Sequence, residues 1–267
     1  MIPIFVPSKD RTHTFRKGFS PINQMSNKQR NNVFYVVPDG DEDLYRSDMP
    51  SHVGEILSCP AKGIAATRHW IGELCARKNF DFFMMADDDI KWFRRESVDS
   101  TKLIPANDVD IDIMMETVEY HLMDNFAHVG ISAREGNNRF GLADRWSGAE
   151  NTRTLRVLAY RTHEFLSVEH GRVPVMEDFD VNLQLLEAGY PNLNLTFFSQ
   201  DQQGTQTQGG CSTYRTKELH EAAAVKLAEL HPDFVRLRDK ENKSGGDFGT
   251  RKEVTISWKK AYASSRI

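Results

Sequence analysis

Four short apolar runs punctuate the front of the chain: "IPIFVP" at 2–7, "VFYVVP" at 33–38, "EIL" at 55–57 and "FDFFMMA" at 80–86. Runs of this length bounded by Pro, Asp, Gly and Ser read as strands. Between the third and fourth, Ile64, Ile71, Leu74 and Cys75 recur close to helical spacing in "AKGIAATRHWIGELCARKN", with Asn79 as a C-terminal stop. This order predicts an α/β domain with a mostly parallel sheet flanked by helices. In such a sheet right-handed crossovers bring the loops after Val6, Val37, Leu57 and Ala86 to one edge, where ligands bind. Further on, "DVDIDIMMETVEYHLMDNF" reads as a helix and "AHVGIS" as a strand. "REGNNRFGLADRWSGAENT" reads as a long loop and "LRVLAYR" as a strand. "VMEDFDVNLQLLEAGY" then leads into a helix, "NLNLTFFS" is a strand, and a last helix runs from Thr216 to about Leu230. The Gln- and Gly-rich "QDQQGTQTQGGCS" suggests a lid, because Gly permits the backbone excursions of hinges. "NKSGGDFGTRKE" reads as loop.

The bulk numbers add only limits. A chain of 267 residues, 39% apolar and 27% charged, is an ordinary globular composition. No apolar run is long enough to span a membrane and "MIPIFVPSKDR" lacks signal-peptide order, so a cytoplasmic protein is expected. Cys59, Cys75 and Cys211 show no paired spacing and read as buried thiols. A net charge of -4 argues against wrapping nucleic acid with the whole surface. From Arg215 to Ile267, however, twelve Lys or Arg stand against eight Asp or Glu. A solvated mixed face or a polyanion track explains that bias equally.

The candidate chemistry starts where "FFMMA" runs into Asp87, Asp88 and Asp89. Adjacent carboxylates after a buried strand call for positive compensation. Asp-x-Asp spacing at a strand end can hold Mg²⁺ or Mn²⁺ between protein carboxylates and nucleotide phosphates. A solvated acidic turn is the plainer alternative. "PSKDR" at 7–11, "PDGDEDLYR" at 38–46 and "KGIAATRHW" at 62–70 bring Pro7, Ser8, Arg11, Asp39, Lys62, Gly63 and Arg68 to the same edge. There they can meet a nucleoside diphosphate.

Together these motifs resemble the GT-A class of nucleotide-sugar-dependent glycosyltransferases. The resemblance implies a metal held by Asp87 and Asp89, a donor met by the residues just named together with Asp87 and Asp88, and a catalytic base from "MEDFD", Asp178 or its neighbour Glu177. More narrowly, "VPSKDR", "MADDDI", "ISAR" and "MEDFDVNLQLLEAGYPN" resemble the phage glycosyltransferases associated with TET/JBP-type base dioxygenases. That implies UDP-glucose or a similar donor, a hydroxymethylated pyrimidine in DNA as acceptor, and a host-cell cytoplasmic location. Residues 1–95 would then hold donor and metal, and residues 96–267 the acceptor, the base and a C-terminal extension. The late histidine that GT-A enzymes often use as third metal ligand has no clear counterpart, His220 and His231 lying in a helical segment. Seven arginines lie between Arg134 and Arg172, interleaved with Phe140 and Trp146. Of these, Arg134, Arg139 and Arg145, with Trp146, are the expected acceptor contacts. A protein, glycan or lipid acceptor, and a non-catalytic binding module of the same fold, remain the alternatives.

Overall fold

The structure, a computed structural model, describes residues 2–265 except 16–17, 51–52, 203–209, 211–214 and 242–248. Most of the expected lid at 200–212 therefore lies outside the described residues, its first three residues ending a strand instead, as do Cys211 and much of the expected loop near the C-terminus.

The chain forms strand β1 (Ile4–Pro7), helix α1 (Asn27–Arg30), β2 (Val33–Pro38), α2 (Glu42–Asp48), β3 (Glu55–Cys59), α3 (Ile64–Arg77), β4 (Phe82–Ala86), β5 (Ile90–Arg95) and β6 (Leu103–Pro105). Then come α4 (Asp108–Asp124), β7 (His128–Ala133), β8 (Gly148–Glu150), β9 (Val157–Arg161), α5 (Thr162–Leu166), α6 (Glu177–Glu187), β10 (Asn192–Gln202), α7 (Lys217–Leu230), β11 (Val235–Lys240), β12 (Arg251–Ile256) and α8 (Trp258–Ser264). Ten strands make one sheet in the order β3-β2-β1-β4-β9-β7-β10-β5-β6, with β8 pairing β10, while β11 and β12 form a separate hairpin.

The first four strands are parallel and adjacent, as their spacing predicts. Their C-terminal ends share one edge. The sheet is largely parallel, as expected, but mixed, because β9 runs antiparallel between β4 and β7. β5 and β8 are likewise antiparallel to β10, so the sheet is mixed although most strands point one way. The reason is local. α5 follows β9 directly at the far edge, so the chain comes down through β9 after the long connection that holds β8, without a helical crossover. That descent places Arg156, the residue before β9, at the aspartate edge, where its carbonyl accepts the Asp87 N–H at 2.9 Å.

Alternation along the strands separates two apolar layers. Ile4, Val6, Tyr35, Met84 and Trp92 face α4, whereas Phe5, Val36, Phe83 and Met85 face α3 and α5. A third cluster joins Met176, Leu183 and Leu186 of the α6 region to Leu227, Val235, Val254 and Ala261. It packs the C-terminal hairpin and helices against the back of α6. Cys59 and Cys75 are buried free thiols. Among the described residues no helix is long and apolar enough to cross a membrane.

Candidate active site

The turn after β4 compensates its three aspartates with two arginines from other elements. Asp88 and Asp89 are each only 4% exposed. Arg11, on the loop leaving β1, donates from one Nη1 to Asp88 Oδ1 at 2.8 Å and to Asp89 Oδ2 at 2.9 Å. Ser8 Oγ donates to Asp88 Oδ2 at 2.5 Å and shares a hydrogen bond with Tyr45 Oη at 2.8 Å. Asp88, expected to face the donor, is thus turned inward, where it fastens the β1 loop to the acidic turn. Asp87 keeps 32% of its side chain exposed and meets Arg68 Nη2 at 3.3 Å.

Arg68 is the link between the two expected catalytic motifs. It lies in the second turn of α3, which starts after Gly63, a residue whose φ of +85° suits the sharp exit from the preceding loop. Its Nη1 donates to Glu177 Oε1 at 2.5 Å. The same guanidinium therefore spans Asp87 at the end of β4 and Glu177 at the head of α6. The residue before that helix, Met176, is held at φ 66°, a left-handed conformation that carries strain for a non-glycine side chain. Its carbonyl nevertheless accepts the N–H groups of Phe179 and Asp180, both at 3.1 Å, and starts the helix. Asp178 is half-buried beside Glu177, its Oδ1 accepting the Phe179 N–H at 3.1 Å. The gap between Arg68 and the head of α6 holds only about 10 Å³, so no substrate lodges there.

Burial raises the pKa of every aspartate in the turn, against the pull of Arg11 on Asp88 and of Arg68 on Asp87. Asp89 is pushed up to about 7 by burial and by Asp87 and Asp88, with Arg11 drawing the other way. Glu177 also rises to about 7, because burial outweighs the attraction of Arg68 and Asp178 adds its own repulsion. Burial works against the charge on Arg68, but Glu177, Asp87 and Asp178 more than offset it and keep its pKa raised.

This donor set fits a divalent cation. Five carboxylates (Asp87, Asp88, Asp89, Glu177 and Asp178) stand with three guanidiniums (Arg11, Arg68 and Arg156), which leaves an excess of two negative charges when all are ionised. Among the described residues no three His, Cys, Asp or Glu side chains converge as a ready-made cage. Mg²⁺ does not need one, since it commonly takes one or two carboxylates and completes its shell with substrate phosphates and water. The late histidines are engaged elsewhere. His231 is buried between Asp180, at 2.9 Å, and Glu187, at 2.5 Å, and His220 lies 3.4 Å from Glu253.

The remaining expected donor residues sit around the rim. Pro7 ends β1, and Asp39 follows β2, where Ser58 Oγ donates to it. Lys62 is exposed just before Gly63. The expected acceptor set is not held together. Trp146, 41% exposed, packs edge-on to Tyr120 with ring centroids 4.9 Å apart and carries Arg145 over its ring at 4.5 Å. Tyr120 belongs to the end of α4, which enters β7 from the edge opposite the aspartates. Arg145 and Trp146 therefore stand away from the acidic turn. Arg134 pairs with Asp201 at 2.8 Å and lies over Phe93 at 4.7 Å. Arg161 and Arg172 are structural, bound to backbone carbonyls of the last turn of α4 and to Asp180 respectively. Arg139 instead lines an open groove of about 650 Å³ with Phe140, Arg153 and Arg156. The roles of Tyr45, Asp180 and Arg156 went unpredicted. The left-handed backbone of Arg156, φ 66°, which helps aim its carbonyl at Asp87, leaves no trace in the residue pattern.

Comparison with known proteins gives the family. Residues 2–211 match the family described as TET-Associated Glycosyltransferase. Two phage proteins, each named beta-glucosyl-HMC-alpha-glucosyl-transferase, from enterobacteria phages T6 and T2, are 24% identical over 221 residues. Each alignment covers 76% of this chain and 74% of the relative. A solved structure, titled as that of a mycobacterial protein, superposes with a TM-score of 0.46 at 10% identity, covering 96% of this chain and 84% of that one. The family match takes in both the acidic turn and the head of α6, and the chain belongs to the TET-associated glycosyltransferase family.

Proposed function

We propose that this glycosyltransferase moves a hexose from a nucleotide-sugar, UDP-glucose or a close analogue, to the hydroxyl of a 5-hydroxymethylpyrimidine in DNA. One observation carries the reading: Arg68 joins the acidic turn to the head of α6, within a family match that spans both. The acceptor follows the names of the phage relatives, which act on HMC already bearing a glucose, so a glucosylated base is an acceptor to test alongside the plain one.

Asp87 and Asp89 would hold Mn²⁺ or Mg²⁺, which when bound neutralises charge building on the departing diphosphate. Ser8, Arg11, Asp39, Lys62 and Gly63 surround the place where base, ribose and phosphates would lie. Arg68 keeps Glu177 beside Asp87 and leaves Asp178 the more exposed carboxylate of the pair. Asp178 then accepts the proton of the attacking hydroxyl. That role assumes inversion at the anomeric carbon. The relatives' names give an alpha linkage, and an alpha-linked donor yielding an alpha product means retention. In that case Asp178 orients the acceptor hydroxyl and steadies positive charge on the sugar, and the departing phosphate takes the proton.

The test is mass spectrometry of nucleosides from DNA containing hydroxymethylcytosine, with and without a prior glucose, after incubation with the protein, Mn²⁺ and a panel of nucleotide-sugars. The proposal expects one added hexose on the modified base, and the anomeric coupling in its NMR spectrum separates inversion from retention. No new nucleoside with any donor, together with sugar transfer to a protein, glycan or lipid, would refute the DNA acceptor.

A further inference from the structure

The groove beside the acidic turn has no place in the chemistry above. It runs between the end of β7, the short turn at Asn137–Phe140 and the segment joining β8 to β9. Arg139, Arg153 and Arg156 line it, with Glu135 as its one carboxylate, so its surplus is two positive charges on a protein whose net charge is -4. Arg139 lies over Phe140 at 5.7 Å and Arg153 over Phe179 at 4.8 Å. Both arginines are exposed, and neither forms an ion pair among the described residues. Arg156 faces Glu135 at 3.4 Å and Gln200 at 3.3 Å.

Two of the lining residues touch the candidate chemistry. The Arg156 carbonyl accepts the Asp87 N–H. Arg153 rests on Phe179, the residue after Asp178. Its volume of about 650 Å³ suits a nucleotide or two and not a duplex. We infer that this groove carries the phosphodiester backbone of the acceptor strand, with Arg139 and Arg153 as phosphate contacts and Arg156 at the turn toward the acidic edge. The base to be modified leaves the stack here and presents its hydroxymethyl group to Asp178. The inference rests on the DNA acceptor proposed above; of the expected acceptor contacts it keeps Arg139 and replaces the Arg145–Trp146 patch with Arg153 and Arg156.

The experiment compares wild type, Arg139→Gln/Arg153→Gln and Arg145→Gln/Trp146→Ala, using a fluorescent hydroxymethylated oligonucleotide at several salt concentrations. Loss of two phosphate contacts should flatten the slope of log K against log salt by roughly 1.4 to 1.8. The Michaelis constant for DNA should rise at least about tenfold, with the loss in KM exceeding that in kcat. The free hydroxymethylated nucleoside, which has no phosphates, should be used equally well by wild type and the groove variant. An unchanged slope and KM in the groove variant, or a loss confined to the Arg145/Trp146 variant, overturns the inference while leaving transfer to DNA standing. Absence of transfer to DNA by wild type would instead refute the function on which it rests. Both groove residues are exposed, so a melting temperature within about 2 °C of wild type confirms that folding is not the variable.

Discussion

Asp89 and Glu177 are carboxylates whose burial costs the fold stability. Each is held up to about 7 by burial among other carboxylates. The folded state therefore binds their protons more tightly than the unfolded chain. A carboxyl with a raised folded pKa contributes stability that is fully present below its unfolded pKa and lost as pH rises through about 7. Metal-free Asp89→Asn, which removes one buried charge, should accordingly melt higher than wild type at pH 8, by roughly 2–4 °C per kcal/mol recovered. The advantage should shrink toward pH 5.5, and transfer should be lost at both. Thermal melts at the two pH values check this, and a variant less stable than wild type at pH 8 would mean that Arg11 needs Asp89 more than the turn suffers from it. Asp178→Asn should lower turnover by about a hundredfold with donor affinity nearly kept if it is the base. Glu177→Gln should act differently, because it strips the buried Arg68 of its closest counter-charge. Its loss should appear in donor binding as well as turnover. Titration of the nucleotide-sugar into each variant separates the two, and equal effects on donor binding would remove the distinction.

α6 is the element on which the account depends, and its back face is pinned by a buried ionic network. His231, at the end of α7, bonds Asp180 and Glu187, two turns apart on α6, while Arg172 bonds Asp180 from the preceding loop. Burial lowers the His231 pKa, but the two carboxylates outweigh it and hold it above the ordinary histidine value. Its contribution is thus full below about pH 6.5 and fades as pH rises through the raised folded pKa. His231→Ala should destabilise the protein by roughly 2–4 kcal/mol near pH 6 and by less near pH 9, as urea melts at the two pH values would show. Equal losses at both would mean that packing, not charge, holds the helix. None of this network was legible in the residue pattern, where His231 looked like one more residue of a helical segment. The strands that set the acidic edge were legible because "IFVP", "VFYVVP" and "FFMMA" are uninterrupted apolar runs, as strands buried on both faces must be. β5 was obscured by its own charges: Arg95 is fully buried, its Nη2 donating to the Asn137 carbonyl at 2.9 Å. The reversal of β9 was hidden for a different reason, since side-chain alternation is the same in either direction. β11 exposes all four of its charged residues and was given no element, and the loop reading of 242–253 takes in the first three residues of β12.

At the scale of the whole molecule, a chain of net charge -4 concentrates negative charge where β4 ends and positive charge in the adjoining groove. Such a division suits a reaction that brings a metal-bound diphosphate and a polyanionic strand to one edge without letting them share a surface. The metal should also act on the fold. Mn²⁺ should raise the melting temperature of wild type at pH 8, more so with UDP present, and should leave Asp87→Ala/Asp89→Ala unmoved; a matching rise in the double variant would place the cation elsewhere. The most direct test of the central claim is intact-mass spectrometry of a hydroxymethylated oligonucleotide incubated with donor and protein under three conditions: Mn²⁺, EDTA, and Mn²⁺ with Asp89→Ala. The account predicts addition of a hexose in the first condition alone, and restoration when Mn²⁺ is returned to the EDTA-treated wild type. Addition at the wild-type rate in EDTA or by Asp89→Ala would contradict it.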